Sequence, residues 1–236
     1  MPTGHKLTPD MLASVRRQAC RKLKNIGKAH GFDHALRVEA MALDFISDSP
    51  ETDLMLVSLF ALLHDVDDYK LFPGSKGGTP NADIIMAGAR IPFHIQELFR
   101  EQIARFGYSR RLKGLCPSHP AAMAVSDADM CDIMGATGIA RLVEYDVQSG
   151  AVFFDPDDIP AKTITHEGYM STQTESGCRH MFDKILLLPS HMLTKKGRAE
   201  ALERRETTAM YLRALFREQH AAKWAELLEE YLNRPV

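Results

Sequence analysis

The chain has 236 residues, 45% of them hydrophobic and 25% charged, with a formal net charge of -2. That length can build one large domain with a sizeable core, and the near-neutral balance offers no basic surplus for nucleic acid and no acidic solvating tail. The opening residues Met1-Pro2-Thr3-Gly4-His5-Lys6 lack the apolar stretch of a secretion signal, no run reaches the roughly eighteen apolar residues of a membrane span, and Cys20, Cys116, Cys131 and Cys178 form no CxxC, so a reducing cytoplasm with free thiols is expected.

Segment 8–26 reads as a surface helix: Thr8-Pro9 suits its start, and Met11, Val15 and Leu23 make a sparse apolar stripe that Gly27 and Gly31 end. A second helix is expected over about 34–47, where Val38, Met41, Ala42, Phe45 and Ile46 recur at three- and four-residue steps. His34 lies four residues before Val38 and so points inward with that face. The third helix, about 50–66, begins at Ser49-Pro50 and is apolar enough to be central, with Leu56, Phe60, Leu63 and His64 on its buried stripe. A histidine and an aspartate side by side, His64-Asp65, are costly to bury without a partner.

Residues 67–80 read as a loop, dense in glycine and proline, that carries Asp68 and Lys70; a functional loop and a solvated excursion are both open, and the GxxxxGK[ST] phosphate loop is absent. Thr79-Pro80 starts another helix, and Pro92 the next, with Ile95, Leu98, Phe99 and Ile103. Arg105, Arg110, Arg111 and Lys113 form a basic cluster that reads as a solvated face or a phosphate contact. Pro117-Ser118-His119-Pro120 opens a helix whose one face carries Ala122, Val125, Asp129, Ile133 and Ala136. An aspartate in the middle of such a face must be paired, protonated or metal-bound. Gly135, Ala136, Gly138 and Ala140 are small enough to let another backbone approach. Residues 146–174 read as irregular. Helices resume at Glu175, Thr194 caps a further one, and 197–232 forms one long charged helix or two shorter ones. No sustained alternating pattern indicates a strand, so the fold class is all-α with eight or nine helices.

Three inward polar positions on three core helices, His34, His64-Asp65 and Asp129, are hard to read as separate accidents. Imidazole nitrogen with carboxylate oxygen suits a divalent metal, with manganese or magnesium favoured by the oxygen share and iron, nickel, cobalt or zinc compatible. Four protein ligands would leave positions for water and substrate, unlike a closed structural site. A metal so held polarises a phosphoryl oxygen and generates a nucleophile from water. Asp68 and Lys70 are the nearest carboxylate and cation in sequence for such a reaction.

The order His34…His64-Asp65…Asp129 resembles the H…HD…D signature of the HD-domain metal-dependent phosphohydrolase superfamily. Three stretches resemble a branch of small stand-alone bacterial-type HD hydrolases more closely. They are His30-Gly31-Phe32-Asp33-His34-Ala35-Leu36-Arg37-Val38 (HxxxHxxRV), His64-Asp65 with Asp68-Tyr69-Lys70 (HDxxDxK), and Asp127 to Arg141 (DADxxDxxGAxGIAR). The run His180 to Leu188 also fits, so the likeness spans about residues 20–220. It implies an HD-type helical bundle in a single domain, with a core over about 28–145 and a C-terminal helical part over about 175–233 packing on it. It also implies a metal bound by His34, His64, Asp65 and Asp129. Asp68 is then the residue that orients or deprotonates the attacking water, Lys70 and Arg37 are phosphate contacts or supports, and His30 is a phosphate contact or general acid. Asp127 and Asp132 are expected to pack or support rather than ligate. Dinuclear HD enzymes carry further histidines between HD and the last aspartate; here only His94 and His119 fall in that span, which favours one metal. The expected substrate is a small phosphorylated metabolite, with nucleotides included. A dinuclear-iron HD oxygenase and a non-catalytic metal-binding regulatory module are the competing readings. The long C-terminal helix leaves open a homodimer or a helix that wraps its own core.

Overall fold

Thr8 starts the first helix as its type suggests. Its hydroxyl accepts from the Met11 N–H at 3.3 Å, and Pro9, which has no N–H to satisfy, takes the first helical position. In the computed structural model, which describes residues 6–24, 26, 31–47, 54–160 and 176–234, this helix is α1, Pro9–Leu23. It is followed by α2, Phe32–Phe45, α3, Leu54–Leu63, α4, Pro80–Gly88, and α5, Phe93–Ile103. The remaining helices are α6, Tyr108–Arg111, α7, Pro120–Asp132, α8, Gly135–Ser149, α9, Gly177–Asp183, α10, Lys195–Glu218, and α11, Ala222–Leu232. Short 3-10 segments cover Pro73–Ser75 and Ile185–His191, and no strand occurs among the described residues. The fold is all-α, with eleven α-helices among the described residues where eight or nine were expected for the chain. The proposed Ser49-Pro50 cap and residues 161–175 lie outside the described residues.

The chain divides into two compact units, Met1–Phe106 with Cys116–Ala128, and Gly107–Leu115 with Asp129–Val236. In the first, α3 is the central element. Seven of its residues, Leu56, Val57 and Leu59 to Leu63, are buried, and both α1 and α2 pack on it. Burial on every side explains why α3 shows a nearly continuous apolar run rather than a stripe. The Arg16 guanidinium grips the Glu39 carboxylate at 2.6 and 2.8 Å and ties α1 to α2. From α5, Phe99 stacks on Phe60 with ring centroids 5.3 Å apart.

The second unit is built on an aromatic core. Phe182 meets Trp224 at 5.3 Å and Tyr231 at 5.0 Å, and Phe216 meets Trp224 at 5.5 Å. The charged run 197–232 resolves into two helices because the chain turns at His220, whose φ is +52°. The face expected to continue from Asp129 to Ala136 is interrupted. α7 ends at Asp132, Gly135 takes φ +66°, and α8 starts afresh with Ala136 exposed. At Gly138 the close neighbour is local: a Cβ at this position would come within 2.2 Å of the carbonyl oxygen of Ile133, five residues earlier in the turn before α8. The basic cluster is not a uniform solvated face either. Arg105 pairs with Glu101 at 3.2 Å, while Arg111 is buried and donates to the His191 carbonyl. Among the described residues no helix is long and apolar enough to cross a membrane.

Candidate metal centre

The expected third helix stops three residues short of its predicted end. α3 closes at Leu63, and His64, Asp65, Val66 and Asp67 form the turn that leaves it. Aspartates at 65, 67 and 68 explain the early stop. Their short side chains compete for backbone groups, and their charge is unfavourable at the negative end of a helix. His64 makes use of the exit. Its Nδ1 lies 2.8 Å from the carbonyl of Ala61, one of the last α3 acceptors without a helical partner. A carbonyl can only accept, so Nδ1 carries a hydrogen and Nε2 is the ring nitrogen turned toward His34.

His34 reaches the same point from the first turn of α2. It is buried, with 1% of its surface exposed, because it shares a face with Ala35, Val38 and Ala42. Its Nε2 stands 3.1 Å from the Nε2 of His64. The Asp65 carboxylate faces both rings, with Oδ2 3.5 Å from His34 Nε2 and Oδ1 3.5 Å from His64 Nε2. Among the described residues, His34, His64 and Asp65 form the group whose ligand atoms are close enough to hold one metal ion. The spacing suits one: two ligands with bonds of about 2.1 Å at a right angle in an octahedral shell stand about 3.0 Å apart. The anchored tautomer of His64 supplies the fixed ring orientation that metal-ligating histidines draw from a backbone carbonyl.

The other site residues named from sequence are placed as follows. Arg37 is half-buried on α2, one turn after His34. Asp68 is half-buried, and its Oδ1 accepts the backbone N–H of Lys70 at 2.8 Å; the Lys70 side chain is exposed. Asp129 is half-buried near the end of α7 and belongs to the second unit, whereas Asp127, two residues earlier, is fully buried. Asp132 is buried and bound by Arg141, in keeping with a packing role. His30 lies outside the described residues. His94 is exposed at the start of α5, and His119 accepts the Ala121 N–H at 3.3 Å; neither joins the cluster among the described residues.

Sequence reasoning passed over Asp67. Its Oδ1 accepts from the Ser75 hydroxyl at 2.7 Å and the Asn81 N–H at 3.0 Å, and its Oδ2 from the Ala82 N–H at 2.8 Å. Asn81 returns the contact, donating its side-chain amide to the Val66 carbonyl at 2.9 Å and to Ser75 Oγ at 3.0 Å. The sequence hid this: Thr79-Pro80 reads as an ordinary helix start, yet the Thr79 side chain makes no cap hydrogen bond, so the first N–H groups of α4 take a remote acceptor.

No family model matches the chain. It is similar to the uncharacterized protein YpgQ of Bacillus subtilis, 25% identical over 211 residues that cover 82% of this chain and 86% of YpgQ. Among solved structures it resembles a protein from Lactobacillus plantarum, with a TM-score of 0.75 and 27% identity over 94% of this chain and all of the other. YpgQ in complex with ADP superposes with a TM-score of 0.66 at 24% identity, covering 88% of this chain and 94% of YpgQ. An HD-superfamily hydrolase from Bacillus thuringiensis superposes with a TM-score of 0.65 at 20% identity, covering 89% and 97% of the two chains. The likeness to these structures shows that the chain shares their all-α fold.

Proposed function

We propose that this HD-fold chain is a metal-dependent phosphohydrolase that cleaves a phosphate ester or anhydride of a small metabolite with activated water. The observation that carries the reading is the convergence of two imidazole Nε2 atoms, 3.1 Å apart, with both oxygens of Asp65. His34, His64 and Asp65 hold the metal in this reading, with Asp129 as the fourth ligand that the H…HD…D resemblance implies. Manganese or magnesium suits this donor set. Bound there, such an ion lowers the pKa of a coordinated water and polarises a phosphoryl oxygen.

The chain's own groups do the rest. Asp68 takes the proton of the attacking water and is held in place by the Lys70 N–H on its Oδ1. The Lys70 and Arg37 cations offset charge on the phosphate as it is attacked, and His30 serves as a phosphate contact or acid. A nucleotide is the first substrate to test, because the similar YpgQ has been solved with ADP. The four free cysteines suit a reducing cytoplasmic setting.

The test is to strip the protein with a chelator, restore manganese or magnesium, and assay nucleoside di- and triphosphates beside a generic phosphomonoester. Metal-dependent phosphate release that disappears in Asp65→Ala is expected. Metal binding without turnover on any phosphate compound would instead assign a regulatory module. Oxygen-dependent spectra from bound iron would assign the oxygenase reading.

A further inference from the structure

We propose that Asp67 is a positioning residue: it clamps the turn bearing His64, Asp65 and Asp68 to the start of α4 and so sets the geometry of the metal ligands. The inference rests on the metal-centre reading above. The turn has little helical support of its own. α3 has ended, and the backbone is held by the single bonds Val66 N–H to Leu63 carbonyl at 3.3 Å and Asp68 N–H to Asp65 carbonyl at 3.2 Å. These are long contacts for N–H···O bonds. The Asp67 side chain adds three shorter ones, at 2.7, 2.8 and 3.0 Å, to Ser75, Ala82 and Asn81. Hydrogen bonds to a charged acceptor are about twice as strong as neutral ones.

The clamp is closed on both sides of the peptide that precedes Asp67. The Asn81 amide donates to the Val66 carbonyl, one residue after Asp65. Ser75 sits at the junction, donating its hydroxyl to Asp67 while its oxygen accepts from Asn81, and it is buried although it lies in an otherwise exposed loop. The far end is firm. α4 packs on α1, and on the same loop Phe72 lies under the Lys22 ammonium of α1 at 4.4 Å from its ring centre. With its carboxylate taken up by three donors, Asp67 is built to hold the turn rather than to bind metal itself. Groups that orient metal ligands from outside the coordination sphere are worth about 10- to 100-fold in metal affinity.

The experiment measures manganese affinity by titration calorimetry, the Mn(II) electron-spin spectrum, and melting of the metal-free protein for wild type, D67A, D67N and N81A. Asp67→Ala is expected to weaken manganese binding at least 10-fold and broaden the spectrum while the protein stays folded. D67N, which keeps one acceptor oxygen, is expected to fall between it and wild type. N81A opens the clamp from the far end with Asp67 intact and is expected to loosen the metal in the same direction, so the idea stays testable if D67A does not fold. A purely structural role would lower the melting temperature and leave the affinity of the folded protein unchanged, which overturns the inference. If wild type itself binds no manganese, the metal-centre reading falls and this inference falls with it; unaltered affinity in D67A and N81A beside a tight wild type sinks this inference alone.

Discussion

His34 Nε2 and His64 Nε2 lie 3.1 Å apart, although the two rings come from different elements, and His64 is locked by the Ala61 carbonyl on its other nitrogen. Two ring nitrogens at that distance need a shared proton or a shared cation between them. In the proposed metal centre, removing either ring, or the Asp65 carboxylate that faces both, would take away a ligand rather than a support. His34→Ala, His64→Ala and Asp65→Ala are each expected to reduce manganese affinity by on the order of 100-fold or more, at or above the upper end of the effect of outer supporting groups. Calorimetric titration with manganese, alongside circular dichroism to show retained helix, measures this; wild-type affinity in any of the three removes that residue from the metal centre.

Asp68 and Lys70 are expected to separate from the ligands in kinetics. Asp68→Asn keeps an acceptor for the Lys70 N–H but cannot take a proton at neutral pH. Turnover is expected to fall by on the order of 100- to 10,000-fold, the usual worth of a general base, with manganese affinity within about twofold of wild type. Lys70→Ala is expected to act on substrate binding as well, since its side chain is exposed and can reach a bound phosphate. Steady-state kinetics with the best substrate of the panel, at saturating manganese, distinguishes the two. Full turnover in Asp68→Asn would move the proton-accepting role to another residue.

The helices around the site were legible because their apolar periodicity is set by burial. Val38, Ala42 and Phe45 on α2 and Leu56, Phe60 and Leu63 on α3 are all buried as their spacing implies. His34 was legible for the same reason, as it shares that face. The exit turn after Leu63 was not, because an apolar run carries no mark of where its hydrogen-bond ladder stops, and helix ends depend on the local competition of the three nearby aspartates. Asp67 was missed because its partners lie eight to fifteen residues away, at Ser75, Asn81 and Ala82, and a loop of glycines and prolines gives no period from which to infer them. The break between α7 and α8 was hidden for a different reason. Ile133 and Ala136 continue the helical spacing of Asp129, so only the positive φ at Gly135 interrupts it.

Arg141 and Asp132 form a pair at 2.7 Å with both side chains largely out of solvent, 10% and 1% exposed. Arg141 also donates to the Asp132 carbonyl at 3.1 Å, so it fastens the end of α7 to α8 across the Gly135 turn. Breaking such a pair leaves a charge stranded in the interior. Arg141→Ala is expected to cost about 3–5 kcal/mol of stability. The double variant Arg141→Met with Asp132→Leu is expected to lose less than the sum of its two single changes, because neither remaining group is then charged. Urea unfolding of the four proteins gives the coupling; additive losses would show that the two side chains contribute independently.

Asp146 gives the chain a definite pH response. It is 4% exposed, its Oδ2 has no hydrogen-bond partner among the described residues, and burial pushes its carboxyl from 3.8 up to about 6. Oδ2 crowds the start of α9 so closely that a Cβ on Gly177 would come within 2.1 Å of it. The neighbouring Cys178 thiol is itself pushed up to about 12, by burial first and by the Asp146 charge second, so it stays protonated and does not compensate. The native state therefore keeps a proton that the unfolded chain gives up between pH 3.8 and about 6. Stability from this group is full below 3.8 and is lost as the pH rises through about 6, at a cost of up to about 3 kcal/mol at neutral pH. Asp146→Asn keeps the shape and removes the charge. It is expected to be more stable than wild type at pH 7.5, by an amount that shrinks toward zero as the pH approaches 4. Urea midpoints measured at half-unit steps from pH 4 to 7.5 test this, and an equal pH slope in the two proteins would assign the response to another group.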